Sequence, residues 1–167
     1  FLYNEVQKRE ANQERVRVGL IGAGKFGSMF LSQVPFTIGL EVISIVDICV
    51  ENAKKNCRDV GWTKEQIESV LFFDNLKKMV SQTKIDVLVE ATGDPVEGTK
   101  HALIAIEEGL DIVMVNVEAD VLSGPYLAKE ADKAGIVYSM AYGDQPALTT
   151  ELVEWARASG FNVVAAG

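Results

Sequence analysis

The stretch Val16-Arg17-Val18-Gly19-Leu20-Ile21-Gly22-Ala23-Gly24-Lys25-Phe26-Gly27 decides the fold. Val16–Ile21 alternates basic and apolar residues before turning fully apolar, the pattern of a strand entering a buried sheet. Three glycines follow at the spacing G-x-G-x-x-G. Next comes a stretch, Lys25–Gln33, with Phe26, Met29 and Phe30 at helical spacing. Glycines at this spacing are weak evidence alone. Between a strand and a helix they gain a mechanism. Gly22 permits the tight turn, Gly24 lets backbone approach a pyrophosphate, and Gly27 lets the helix pack close to the strand. Free N–H groups and the positive end of the helix dipole then face the phosphate.

Working outward, apolar runs bounded by turn signals alternate with helical periodicity, as in successive βαβ units. Pro35 ends the first helix, and Leu40–Val46, rich in β-branched residues, predicts a second strand ending at Asp47. A helix over 51–60 follows, and Thr63 with Gln66 reads as a capping box opening a short helix. Strand 70–73, a helix capped by Asp74, strand 86–90 and a helix begun at Pro95 and stopped by Gly109 come next. Strand 111–117, helix 124–134, strand 136–141, helix 147–159 and strand 161–165 complete about seven strands. The prediction is an α/β fold: a Rossmann-type, doubly wound, mostly parallel sheet with helices on both faces. Residues 1–15 read as an amino-terminal helical extension and 16–167 as the nucleotide-binding domain.

Composition narrows the function classes. A formal charge of −8 at pH 7, with basic residues dispersed, argues against nucleic acid as a partner because phosphates are repelled. No apolar run approaches the roughly 20 residues of a membrane span, and the polar start lacks a secretory signal's apolar centre. A cytoplasmic chain is expected, with no membrane partner. Cys49 and Cys57 make neither a disulfide framework nor a metal site, so no metal ligands are assigned. The chain opens on Phe1 rather than Met and closes in a strand-like run, so it reads as part of a longer protein.

The candidate cofactor site consists of Gly22, Ala23, Gly24, Lys25, Phe26 and Gly27, joined by Asp47, Ala91, Thr92, Gly93 and Asn116. Asp47 stands at the end of the second strand, where a carboxylate accepts hydrogen bonds from ribose hydroxyls. Its charge repels a 2′-phosphate and favours NAD, while Lys54 and Lys55 nearby keep NADP open. Ala91, Thr92 and Gly93 are small enough for a cofactor to pass over the sheet edge. Asn116, at the equivalent end of the next strand, is placed to hydrogen-bond the nicotinamide region. Glu118, Asp120 and Asp144 are weak candidates for catalytic groups, with loop and cap roles as the alternative. His101, the single histidine, falls inside a helix and reads as a surface or core residue.

Beyond the glycine turn, Met29-Phe30, Gln33-Val34-Pro35, Val46-Asp47, Glu90-Ala-Thr-Gly-Asp-Pro95, Asn116-Val-Glu-Ala-Asp120, Tyr142-Gly-Asp-Gln-Pro146 and Val163-Val-Ala-Ala-Gly167 carry a resemblance. Over nearly its whole length the chain resembles the homoserine dehydrogenase-like oxidoreductases that carry a carboxyl-terminal SAF domain. The resemblance implies an NAD(P)-binding domain here, followed in the longer protein by a catalytic and oligomerisation region and then the SAF domain. It also implies a homo-oligomer and a small-molecule substrate. The family includes enzymes similar in activity to 1-deoxy-D-xylulose 5-phosphate reductoisomerase, which use NADPH and a divalent metal. One departure counts against homoserine itself: members acting on it carry Asn-Lys after the fifth strand, where this chain has Asn116-Val117.

The expectation is therefore hydride transfer between a nicotinamide cofactor and an alcohol or carbonyl substrate. In it the cofactor supplies the chemistry and the protein supplies orientation. Reductoisomerase-like activity and a non-catalytic nucleotide sensor are the alternatives.

Overall fold

The computed structural model describes residues 1–166. Six strands form one sheet: β1 (Val16–Ile21), β2 (Leu40–Val46), β3 (Leu71–Phe73), β4 (Val87–Glu90), β5 (Asp111–Met114) and β6 (Tyr138–Met140). Their order is β3-β2-β1-β4-β5-β6, and every pairing is parallel. Two runs of strands thus leave β1 in opposite directions, the doubly wound arrangement predicted. The reversal falls between β1 and β4, and open parallel sheets bind ligands outside the carboxyl ends of the strands at that point.

Helices cover both faces. On one, α2 (Lys25–Gln33), α3 (Val50–Asp59) and α4 (Lys64–Glu68) close a core around Leu20, Leu31, Ile45 and Cys57. Trp62 seals this side, donating its indole N–H to the Leu31 carbonyl at 2.7 Å. On the other face, α5 (Leu76–Gln82), α6 (Pro95–Glu108) and α7 (Val117–Ala134) bury Met79, Leu88, Ile112 and Leu127. The amino-terminal extension forms α1 (Leu2–Ala11), which is tied down where Glu10 accepts the Gly39 N–H at 2.9 Å. A last helix, α8 (Gln145–Ala158), buries none of its residues and leaves Leu152 and Trp155 exposed. Among the described residues no helix is long and apolar enough to cross a membrane.

The structure departs from the sequence reading in four places. No seventh strand forms among the described residues: 161–166 are irregular, with Val164 91% exposed. β6 is shorter than expected. The seventh helix begins at Val117, well before Gly124, so β5 ends at Met114. The Asn116 side chain accepts the Ala119 N–H at 3.1 Å, and Glu118 and Asp120 complement the dipole of that first turn. Together these start the helix early enough that Gly124-Pro125 falls inside it. Finally, Asn75 rather than Asp74 caps α5, accepting from the Lys78 N–H at 3.2 Å, while Asp74 pairs with the Lys78 ammonium at 2.9 Å.

Candidate functional site

The three motif glycines have three different jobs. Gly22, at φ +90°, occupies a backbone conformation that side chains disfavour, and donates its N–H to the Val46 carbonyl at 2.8 Å. Gly27 is buried, and a Cβ there would fall on the Gly22 carbonyl oxygen. It sets how closely α2 approaches the turn. Gly24 differs from both: a Cβ built there meets nothing within 4 Å. It is the N-cap of α2 and brings no side-chain cap, so the first-turn N–H groups are left facing open space. An anion fits that cradle, and a side chain at Gly24 would occupy it.

Asp47 braces this turn from the end of β2. One carboxylate oxygen accepts the Ala23 N–H at 3.0 Å and the other the Cys49 N–H at 2.9 Å. Each oxygen keeps a lone pair for a further donor. Asn56 of α3 supports the same turn, donating to the Ala23 carbonyl at 2.8 Å. Lys54 and Lys55 are turned to other uses. Lys54 pairs with Glu51 at 2.9 Å over the Phe72 ring, and Lys55 pairs with Asp59 at 3.8 Å.

The opposite wall follows β4. Its last residue, Glu90, is fully buried, and one of its oxygens accepts the Thr92 hydroxyl at 2.5 Å and lies 3.1 Å from His101 Nδ1. Gly93 takes a left-handed conformation, and Asp94 caps α6, accepting the Val96 and Glu97 N–H groups at 2.9 and 2.8 Å. Asn116 reaches across to this loop, donating to the Asp94 carbonyl at 2.8 Å and the Thr92 hydroxyl at 3.3 Å. Gly98 makes room for that amide, since a Cβ there would strike Asn116. On the same face Tyr138 donates its hydroxyl to Asp120 at 2.9 Å, and burial, with that hydrogen bond, pushes the phenol well above its ordinary range.

Between these walls lies a cavity of about 1110 Å³ running along the carboxyl edge of the sheet. Of the residues expected from sequence, Gly22, Gly24, Lys25, Phe26 and Asp47 line it from one side, and Ala91, Thr92 and Gly93 from the other. Ala23, Gly27 and Asn116 stand behind the lining and shape it. Asn116 was expected to meet the nicotinamide region. It is 1% exposed, and its carbonyl oxygen and amide are already engaged by Ala119, Asp94 and Thr92. Glu118, Asp120 and Asp144 lie outside the cavity, at the starts of α7 and α8. Among the described residues they do not gather into a three-ligand metal group. His101, read from the sequence as a surface or core residue, lines the cavity, and Glu90 lies fully buried behind the lining. The signal available for the latter was a glutamate closing an otherwise apolar strand.

A parallel doubly wound sheet with a glycine turn, an uncapped helix start and an acidic residue ending β2 defines a nucleotide-binding Rossmann domain of the oxidoreductase type. The family model for "Homoserine dehydrogenase, NAD binding domain" matches residues 18–141, well over half of the chain, and the chain belongs to that family. Its cofactor is accordingly a nicotinamide dinucleotide. No curated protein matches the chain. Among solved structures, it is similar to the WlbA dehydrogenase from Bordetella pertussis in complex with NADH and UDP-GlcNAcA. That match has 22% identity and a TM-score of 0.64, and covers 87% of this chain and 42% of that one. It is also similar to myo-inositol dehydrogenase from Lactobacillus casei in complex with NAD(H) and myo-inositol, with 18% identity and a TM-score of 0.62, covering 84% and 42%. At these identities the likeness is one of fold. The chain spans about two fifths of the length of these structures.

Proposed function

We propose that this domain binds NAD(H) in preference to NADP(H), for hydride transfer between the nicotinamide and an alcohol or carbonyl substrate. The observation that carries the preference is Asp47. Its carboxylate is fixed by two backbone N–H groups at the rim of the cavity, and both of its oxygens can take a further donor. Ribose hydroxyls are such donors, whereas a 2′-phosphate would bring negative charge against negative charge. Lys54 and Lys55, the residues that left NADP open on sequence grounds, are paired with carboxylates on α3 and do not line the cavity.

The bound cofactor supplies the carbon that gives or takes hydride. The chain's own residues bind and orient it. First-turn N–H groups of α2 hold the pyrophosphate, Asp47 holds the adenosine ribose, and the loop from Ala91 to Asp94 supports the rest of the molecule. The whole protein's activity on its small-molecule substrate, and its homo-oligomeric assembly, belong to the same proposal.

Calorimetric titration tests the reading. The parent protein is expected to bind NADH at least tenfold more tightly than NADPH. Asp47→Ala is expected to weaken NADH about tenfold, on the order of 1.4 kcal/mol, and to abolish the preference. Equal affinities in the parent, or an Asp47→Ala variant binding NADH as tightly as the parent, overturn the assignment.

A further inference from the structure

Lys25 is the one charged side chain in the glycine turn. It takes the first helical position of α2, directly after the Gly24 cap, and it lines the cavity. A helix start is the positive end of the helix dipole, so a carboxylate there stabilises the helix and an ammonium destabilises it. The other long helices follow that rule. α1, α3, α6, α7 and α8 each have an acid in the first turn or at the N-cap. α2 has no acid, no side-chain cap, and a lysine in their place.

Nothing else in the chain offsets that charge. Among the described residues Lys25 forms no ion pair, whereas Lys8, Lys54, Lys100 and Lys133 each pair with an acid three residues away on the same helix. The positions three and four residues beyond Lys25 are Ser28 and Met29, which carry no charge. An unpaired cation thus borders the cradle that Gly24 leaves open.

The group that α2 would hold requires such a cation. Its first-turn amides present roughly half a unit of positive charge, whereas the pyrophosphate of a dinucleotide is a dianion, and the chain's formal charge is −8. Two other lysines line the cavity, and neither serves this turn. Lys100 pairs with Glu97 at 2.7 Å, and Lys77 follows β3, two strands away from β1 in the sheet. Lys25's own N–H belongs to the first turn, so an anion held there lies within reach of its flexible four-carbon stem. Ammonium–phosphate contacts are among the strong charge-assisted hydrogen bonds.

We propose that Lys25 is a cofactor-contacting residue whose ammonium pairs with the pyrophosphate of the bound dinucleotide, and that the same charge destabilises α2 in the ligand-free protein. This rests on the reading of the cavity as the dinucleotide site. Binding the cofactor then relieves a conflict built into the helix start.

Thermal unfolding without ligand and calorimetric titration with NAD read the two effects separately. Lys25→Met keeps the stem and removes the charge. It is expected to unfold no earlier than the parent and to bind NAD roughly tenfold more weakly at low salt, as for loss of a hydrogen bond between charged groups. Added salt is expected to weaken the parent's binding more steeply than this variant's, because the exposed charge is screened. Lys25→Arg, which keeps the cation, is expected to stay within about threefold of the parent. Lys25→Glu is expected to unfold at a higher temperature than the parent while binding NAD on the order of a hundredfold more weakly. A residue that merely supported the fold would lower stability and affinity together, and that result overturns the proposal. Parent-like NAD affinity in a folded Lys25→Met variant also overturns it, while leaving the dinucleotide site intact. Absence of NAD binding by the parent overturns both.

Discussion

From Gly22 to Gly27 the cavity is walled by backbone; from Glu90 to His101 it is walled by side chains. The first wall works through missing atoms. Gly22 has no Cβ to strain its turn, Gly27 none to strike the Gly22 carbonyl, and Gly24 none to fill the cradle. The second wall works through side-chain contacts between elements: Thr92 and His101 converge on Glu90, and Asn116 reaches back to Asp94. A wall made by omission is rigid and shaped before any ligand arrives. One made from a side-chain network holds only while every member is in place, since removing one leaves buried partners unsatisfied.

This contrast is open to attack at several points. Gly27→Ala is expected to have the largest effect, because its Cβ meets backbone that cannot turn aside. A loss of about 3 kcal/mol, read by denaturant unfolding, is anticipated from overpacking of this severity. A variant as stable as the parent would show that the first wall yields after all. Next comes Asn116→Ala, which removes the cap of α7 and strands the Asp94 carbonyl, for a cost of about 2 kcal/mol. Its NAD affinity should fall as well, since the Thr92–Asp94 loop loses its brace; unchanged stability and affinity would make the network ornamental. The smallest effect concerns Cys57, packed on α3 behind the glycine turn, where burial pushes the thiol up to about 11. An acid's pKa raised by burial means less thiolate at any pH below that value, so iodoacetamide at pH 8 should label exposed Cys49 and spare Cys57. Labelling of both at equal rates would indicate that this side of the sheet opens readily.

The same contrast explains what was legible in the sequence. The glycine turn, the capping box at Thr63 and Gln66 and the stop at Gly109 are local. Each depends on residues within a few positions, and each appears in the structure where expected. The parallel sheet followed from strands and helices alternating. Asn116 was recognised as important, but its role was misplaced, because whether an amide faces a ligand or caps a helix depends on where that helix begins. Gly124-Pro125 looked like a helix start and instead lies inside α7. The run at 161–166 had strand composition yet pairs with no strand, and composition carries no information about neighbours. His101 was read as a surface or core residue, and its contact with Glu90 was not legible because that partner stands 11 residues away on a different element, and only the crossover from β4 into α6 brings the two to 3.1 Å.

The most direct test of the whole account is Gly24→Val. Its Cβ points into space that is open in this structure, so thermal unfolding should match the parent closely. If α2's first-turn amides grip a pyrophosphate through that space, NAD binding by calorimetry should weaken at least a hundredfold, on the order of 2.7 kcal/mol. A folded Gly24→Val protein that binds NAD with the parent's affinity would contradict it.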